Sequence, residues 1–378
     1  MSSPKLQSSR RIRATPYSTR VEALGVGDFS VVNHTILPKG FAPAVDEYWH
    51  LKSHAQLWDV GCQRQVELTG RDAARLAQLM TPRDLRSAEI GQCLYAPMID
   101  ENGGMLNDPV ILKLAEDRFW FSIADSDVLL WAKGLAVGMH LDVHVNEPDV
   151  WPLAIQGPKA QSIARRVFGD ELADIGFFRF AKMPFENDVV VVARTGFSKQ
   201  GGFEIYPESS ALGQRIWDAL WEAGRHHNLA PGCPNLIERI EGGLLSYGNE
   251  MTREDNPFES GLARYCHVDA DIEFIGKSAL QAIAGKPVTR KIGGLIFDGE
   301  ACPAPRKPWS INSNSVSAGY VTSAIWSPRF QNNVALAMLK RDYWEPGTPV
   351  IVDSADGKIR CGVVSNLPMK DDDGATLG

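Results

Sequence analysis

The apolar residues change their spacing partway along the chain, and this limits the architectures open to it. Up to about residue 283, segments with strand spacing alternate with segments of helical spacing. QRQVELTG (63–70) alternates and is followed by RDAARLAQLM (71–80), which has helical spacing. PVILKL (109–114) and RFWFSIAD (118–125) read as an antiparallel hairpin. PKAQSIARRVFG (158–169) opens on Pro and closes on Gly, the usual punctuation of a helix. DVVVVART (188–195) and GFEIYPE (202–208) read as two more strands. In the helix predicted over 210–228, Leu212, Ile216, Trp217, Leu220 and Trp221 fall on one face, as core packing requires.

AGKPVTRK (284–291) is polar, with Pro and Gly, and suits a linker. Beyond it come only short strands: KIGGLIFD, AGYVTS, NVALAMLK, TPVIVD and KIRCGVVSNL. Strands at that spacing predict a small barrel. The expected plan is a flexible arm over 1–14, an α+β body over 15–283, a β-barrel over 284–370 and a disordered tail over 371–378.

Composition narrows the function classes. The 378 residues are 44% hydrophobic and 22% charged, ordinary for a globular chain of two domains. The net charge of −7 argues against a duplex nucleic-acid binder. No run of 18 apolar residues marks a membrane span. The six cysteines form no CxxC pair, and isolated buried thiols in a cytoplasmic protein are expected. The P-loop, GxGxxG, HExxH and GxSxG patterns are absent, and the adjacent His226 and His227 make a poor metal pair on a helix.

Three local features remain. CLYAPMIDENGGMLNDPVIL (93–112) holds a Gly-Gly turn with Asp108 at the mouth of a strand. That aspartate either faces a ligand or caps the turn. In GFEIY, if Phe203 and Ile205 face the core, Glu204 faces the other way and reaches solvent or a polar ligand. LIERIEGGLLSYGNEM (236–251) reads as a helix carrying Gly242-Gly243, an arrangement that costs about 1–2 kcal/mol and implies close packing there.

Together these segments resemble the folate-dependent aminomethyltransferase family, typified by the glycine-cleavage T-protein. The resemblance rests on Tyr95, on Asp100 to Gly104 with Asn107-Asp108, on Arg194 to Ile205, and on Arg239, Glu241 and Gly243. LWDVG (57–61), LAIQGPKA (153–160), NPFESGL (256–262), FIGKSAL (274–280), GYVTSAIWSP (319–328) and VALAML (334–339) follow in the family's order. It implies an α+β fold of two intertwined parts around a central folate funnel, plus the C-terminal barrel. NHTILP (33–38), WFSIADSD (120–127) and PGCPNLIERIE (231–241) are most similar to the branch of the family that demethylates dimethylsulfoniopropionate.

That resemblance implies methyl transfer to tetrahydrofolate, with no metal. It implies folate contacts from Tyr95, Asp108, Phe178, Glu204 and Arg239, with Asp108 as the catalytic group. The donor is expected against Tyr95, Phe197, Tyr206 and His34. A sulfonium is held by aromatic faces at roughly 0.5–2 kcal/mol each. Its carboxylate needs a partner, for which Arg179 and Lys199 are candidates. Arg239 could instead pair with Glu238 or Glu241. The expected partner is a small-molecule donor, with no nucleic acid or membrane, and a homodimer is left open. The rival functions are O-demethylation of an aryl methyl ether with Tyr247 or His34 as proton donor, aminomethyl transfer from a carrier protein, and folate binding without turnover.

Overall fold

The structure is a computed structural model and describes residues 9–370. The tail expected over 371–378, and residues 1–8 of the expected arm, lie outside the described residues. Within the rest of that arm, Arg13 is engaged. Arg13 bridges to Thr35, and its guanidinium donates to Glu147 at 2.8 Å.

The body is built on two sheets. In one, Phe180–Phe185, Asp188–Ala193, Gly202–Tyr206, Leu153–Gln156, Ala55–Asp59 and Leu229–Gly232 lie side by side, antiparallel except for the last pair. In the other, the antiparallel order is His144–Asn146, Gln65–Thr69, Arg118–Ser122, Val110–Ala115 and Cys93–Tyr95. Each sheet buries its outer face under helices. Ile155, Val190, Val192, Phe203 and Ile205 pack with Ala160–Phe168 and Ser210–Gly224. Val66, Leu68, Phe119 and Phe121 pack with Ala73–Leu79 and Val128–Gly138. Because side chains alternate along a strand, residues of opposite parity from each sheet meet in the middle. Cys93, Leu112 and Trp120 there face Val191, Ala193 and Tyr206.

The C-terminal strands close into a six-stranded barrel in the order Arg290–Phe297, Asn332–Lys340, Val316–Ser327, Trp309–Ser313, Pro349–Asp353 and Ile359–Ser365. Alternating positions such as Leu295, Phe297, Ala335, Ala337 and Leu339 fill its interior.

The helix predicted over 236–251 is shorter than expected. It runs over Leu236–Gly242 and stops because Gly243, at φ +65°, takes a left-handed C-cap. The close packing at the two glycines is present. A Cβ on Gly242 would stand 2.7 Å from the Lys199 side chain, and one on Gly243 would stand 3.2 Å from Leu367. All six thiols are free, four of them buried, while Cys361 is exposed on a barrel strand.

Candidate active site

The Gly-Gly segment forms a tight hairpin between Met98–Ile99 and Met105–Asn107. Asp100 caps it, accepting from the Asn102 and Gly104 amides at 2.9 Å each. Gly104 is required because a Cβ there would stand 2.3 Å from the Arg253 carbonyl. Turn capping therefore falls to Asp100, and Asp108 is directed elsewhere.

Asp108 is 9% exposed, and its Oδ2 accepts the Tyr95 hydroxyl at 2.7 Å. Its Oδ1 is buried with no hydrogen-bond partner among the described residues. Burial raises the carboxyl to about 7; the Tyr95 bond opposes this, and the charge of Glu250 adds to it. Burial also lifts the Tyr95 phenol well above its ordinary value, with the Asp108 charge adding. Tyr95, Tyr247 and Tyr265 belong to one apolar cluster with Met105 and Met251. The Tyr265 ring meets Tyr95 edge-on, with centroids 5.3 Å apart. A cavity of about 310 Å³ is lined by residues 30–32, 124–125 and 246–249, so Tyr247 belongs both to this aromatic cluster and to the cavity wall.

Glu204 stands opposite the Phe203 and Ile205 face, as the alternation predicts. It is buried between the sheets, where Thr195 donates to its Oε2 at 2.5 Å and the Tyr206 hydroxyl lies 3.3 Å away. Burial raises its carboxyl above the ordinary value, and these hydrogen bonds pull the other way. Thr195 has no signal in the sequence beyond its place in the Arg-Thr-Gly turn. Tyr206 is fully buried against Trp120, with centroids 6.1 Å apart. Cys93, whose thiol feels the Glu204 charge, shares a strand face with Tyr95 two residues on, about 7 Å away. The strand Cys93–Tyr95 thus runs past both carboxyl groups.

Phe178 adopts φ +56°, donates its N–H to Arg194 at 3.1 Å and accepts from Cys93 at 2.9 Å, tying the sheets together. Its half-buried ring packs on the inter-sheet cluster that includes Tyr206. Phe197 packs against Leu51, Trp58, Val60 and Ala154. Ala154 pairs with both Trp58 and Glu204, so this patch continues along the Glu204 row. His34 lies in a loop. It is exposed at the tip of the hairpin formed by Phe29–Val32 and Thr35–Pro38, where φ is +57°, and it does not line the cavity. Its neighbour Asn33 is the buried member, donating to the Cys62 carbonyl at 3.0 Å and accepting from Ser126 at 3.1 Å.

Arg239 is buried, but its ion-pair partner is neither Glu238 nor Glu241. It donates to Glu250 at 2.9 Å and to Ser323 of the barrel at 2.7 Å. Glu250 acts on Asp108 through its charge, so Arg239 reaches the site at one remove. Arg179 is spent on Glu89 at 2.6 Å, and Lys199 is exposed with its amide on Glu238. Among the described residues no group of three or more His, Cys, Asp or Glu could hold a metal ion, and no helix is long and apolar enough to cross a membrane.

Two sheets back to back, a closed barrel and a buried Tyr–Asp pair define a class. The GCVT N-terminal domain family matches residues 19–270, and the glycine cleavage T-protein C-terminal barrel domain matches residues 290–370. The chain belongs to the glycine cleavage T-protein family. Among individual relatives, it is 48% identical over 349 residues to dimethylsulfoniopropionate demethylase DmdA of Ruegeria pomeroyi, covering 92% of this chain and 95% of that one. It is 32% identical over 345 residues to an aminomethyltransferase of Chlorobaculum tepidum, covering 88% and 92%. Its fold is that of the glycine cleavage system aminomethyltransferase T from Bartonella henselae, with a TM-score of 0.83 at 23% identity over 94% of this chain and 98% of that one.

Proposed function

We propose that this chain is a tetrahydrofolate-dependent demethylase, moving a methyl group from dimethylsulfoniopropionate to tetrahydrofolate and leaving methylthiopropionate and 5-methyltetrahydrofolate. Its 48% identity, over 92% of its length, to a protein named dimethylsulfoniopropionate demethylase carries the choice of donor. The site's chemistry supports the acceptor. A buried acceptor atom without a donor costs about 1–3 kcal/mol, and Asp108 Oδ1 is such an atom. A pterin N–H directed at it would satisfy it, so the residues fit the group.

Tetrahydrofolate, when bound, supplies the N5 lone pair that takes the methyl. The remaining work falls to this chain. With its carboxyl near 7, Asp108 is substantially ionised at neutral pH and can accept the proton that N5 releases. Tyr95 occupies Oδ2 and thereby leaves Oδ1 for that proton. Glu204, held by Thr195, would receive the ring N–H groups. The S–CH₃ bond breaks with its electron pair staying on sulfur, so the leaving group is a neutral thioether and needs no acid. Alignment then supplies most of the rate. The apolar inter-sheet faces keep water away, and the aromatic rings favour a cation. Every residue in this reading comes from one copy of the chain, its partners are small molecules, and its place is the cytoplasm.

An aryl methyl ether would need a proton donor for its phenolate. The Tyr247 hydroxyl donates instead to the Met105 carbonyl at 3.2 Å, and His34 is exposed and is not part of the cavity lining. The test is an anaerobic assay of purified protein with tetrahydrofolate and each donor, reading 5-methyltetrahydrofolate. Product from the sulfonium is expected. Turnover of an aryl methyl ether with none from the sulfonium would overturn the reading.

A further inference from the structure

Several arginines drawn out of water in this protein meet an acid. Arg239 faces Glu250 at 2.9 Å, Arg290 faces Glu259 at 3.0 Å, and Arg360 faces Asp356 at 2.9 Å. Arg83 does not follow that pattern. It is half-buried, its Nη1 donates to the Tyr95 carbonyl at 2.6 Å, and its guanidinium carbon lies 5.2 Å from the centre of the Tyr265 ring. Arg264 lies 4.7 Å from the centre of the same ring, and its Nη2 donates to the Tyr265 hydroxyl at 2.6 Å. Among the described residues neither guanidinium has an ion-pair partner, and Arg83 keeps Nε and Nη2 without a protein acceptor. The adjacent Asp84 is spent on Arg86 at 2.8 Å.

Two like charges thus flank one ring with no acid between them, an arrangement that favours an incoming anion. Burial weakens the hold of Arg83 on its proton, the neighbouring Tyr265 opposes this, and the Arg264 charge adds to it. The position points to the active site. Tyr265 stands edge-on to Tyr95, and the Tyr95 hydroxyl is bonded to Asp108. Arg264 is exposed, so the pair sits where that aromatic layer reaches the surface.

We infer that Arg83 and Arg264 form a carboxylate anchor at the outer edge of the Asp108 site, gripping the tail of a ligand whose reacting end lies at Asp108. Guanidinium forks match carboxylates in geometry as well as charge. The inference rests on the demethylase reading, in which two ligands carry such a group: the donor's propionate and the glutamyl tail of the folate.

Titration calorimetry on the intact chain separates these sources. The variants are Arg83→Met, Arg264→Met and the double substitution, with Arg83→Lys to keep the charge and lose the fork. One arm compares tetrahydrofolate triglutamate with 6-methyltetrahydropterin, which has no tail. The other compares dimethylsulfoniopropionate with its amide. In the double variant, one carboxylate ligand is expected to bind at least about tenfold more weakly, while its carboxylate-free analogue stays within about twofold. The arm that responds identifies the ligand. The anchor is overturned if both carboxylate ligands bind the folded double variant as they bind the wild type, or if the carboxylate-free analogues weaken equally. A wild-type protein that binds folate but demethylates no sulfonium overturns the demethylase reading alone, and the folate arm then decides the anchor.

Discussion

Asp108 and Glu204 sit a few residues from glycine turns, and each is buried without a full ion pair. Replacing Asp108 by Asn removes a titrating group but keeps the acceptor for the Tyr95 hydroxyl. The melting temperature is expected to stay close to wild type while turnover falls at least about tenfold, or 1.4 kcal/mol of transition-state stabilisation. The pH profile gives a sharper readout. If the ionised carboxylate takes the N5 proton, kcat/KM rises with pH through an apparent value near 7, and that limb disappears in Asp108→Asn. If Glu204 receives the pterin donors, Glu204→Ala leaves them unpaired and should weaken folate binding by about 2–4 kcal/mol in a calorimetric titration. Unchanged affinity in a folded variant would remove Glu204 from the site. The orientation of Glu204 is legible from strand alternation alone. The Tyr95 partner of Asp108 is not, because it depends on the pairing of Cys93–Tyr95 with Val110–Ala115.

Among the elements, the short helix Leu236–Gly242 does the most joining. Arg239 reaches Ser323 of the barrel, and Glu241 accepts from Tyr48 at 2.8 Å in the body and from Ser327 at 2.6 Å in the barrel. Arg239→Met would leave the Glu250 carboxylate, whose side chain is 0% exposed, without its cation. Breaking one side of a buried pair costs about 3–5 kcal/mol, which urea unfolding would detect. A loss well under about 1 kcal/mol would mean that Ser323, Thr322 and the Ser246 amide suffice to hold Glu250. In the sequence the Gly-Gly pair is compatible with a longer helix, because glycine is tolerated inside helices at modest cost. The helix ends there because Gly243 turns left-handed at φ +65°, and Lys199 and Leu367 leave no room for a Cβ at either glycine, which no local pattern reveals.

For the whole molecule, the interface between body and barrel and the buried acids set the stability. Ile240 is fully buried with Val334, Leu336 and Met369, so Ile240→Ala should cost about 2–5 kcal/mol. It should also separate the calorimetric unfolding of barrel and body; a single unshifted transition would contradict this coupling. Asp59, tied to Thr15 at 2.5 Å and to the Gly61 amide at 3.0 Å, is raised by burial to about 7. Its folded value lies above its unfolded one, so the folded state holds the proton more tightly between about pH 4 and 7. The stability this confers is complete below pH 4 and is lost as pH rises through 7. The melting temperature of Asp59→Asn relative to wild type is therefore expected to climb across that window. A difference that does not vary with pH would show that Asp59 is ionised throughout.

Local periodicity was enough to separate an α+β body from a β-barrel, to assign the helices Ala160–Phe168 and Ser210–Gly224, and to turn Glu204 away from the core beneath it. These follow from backbone geometry, which repeats every 2 or 3.6 residues and so leaves a mark in the chain itself. Tertiary structure alone decided that Glu250 is the partner of Arg239, that Asn33 rather than His34 is buried, and that Arg83 and Arg264, far apart in sequence, share one tyrosine ring. Each depends on segments meeting across a sheet, a turn or a domain boundary. A side chain's burial, and with it the strength of every charge nearby, is set by those meetings and not by its neighbours in sequence.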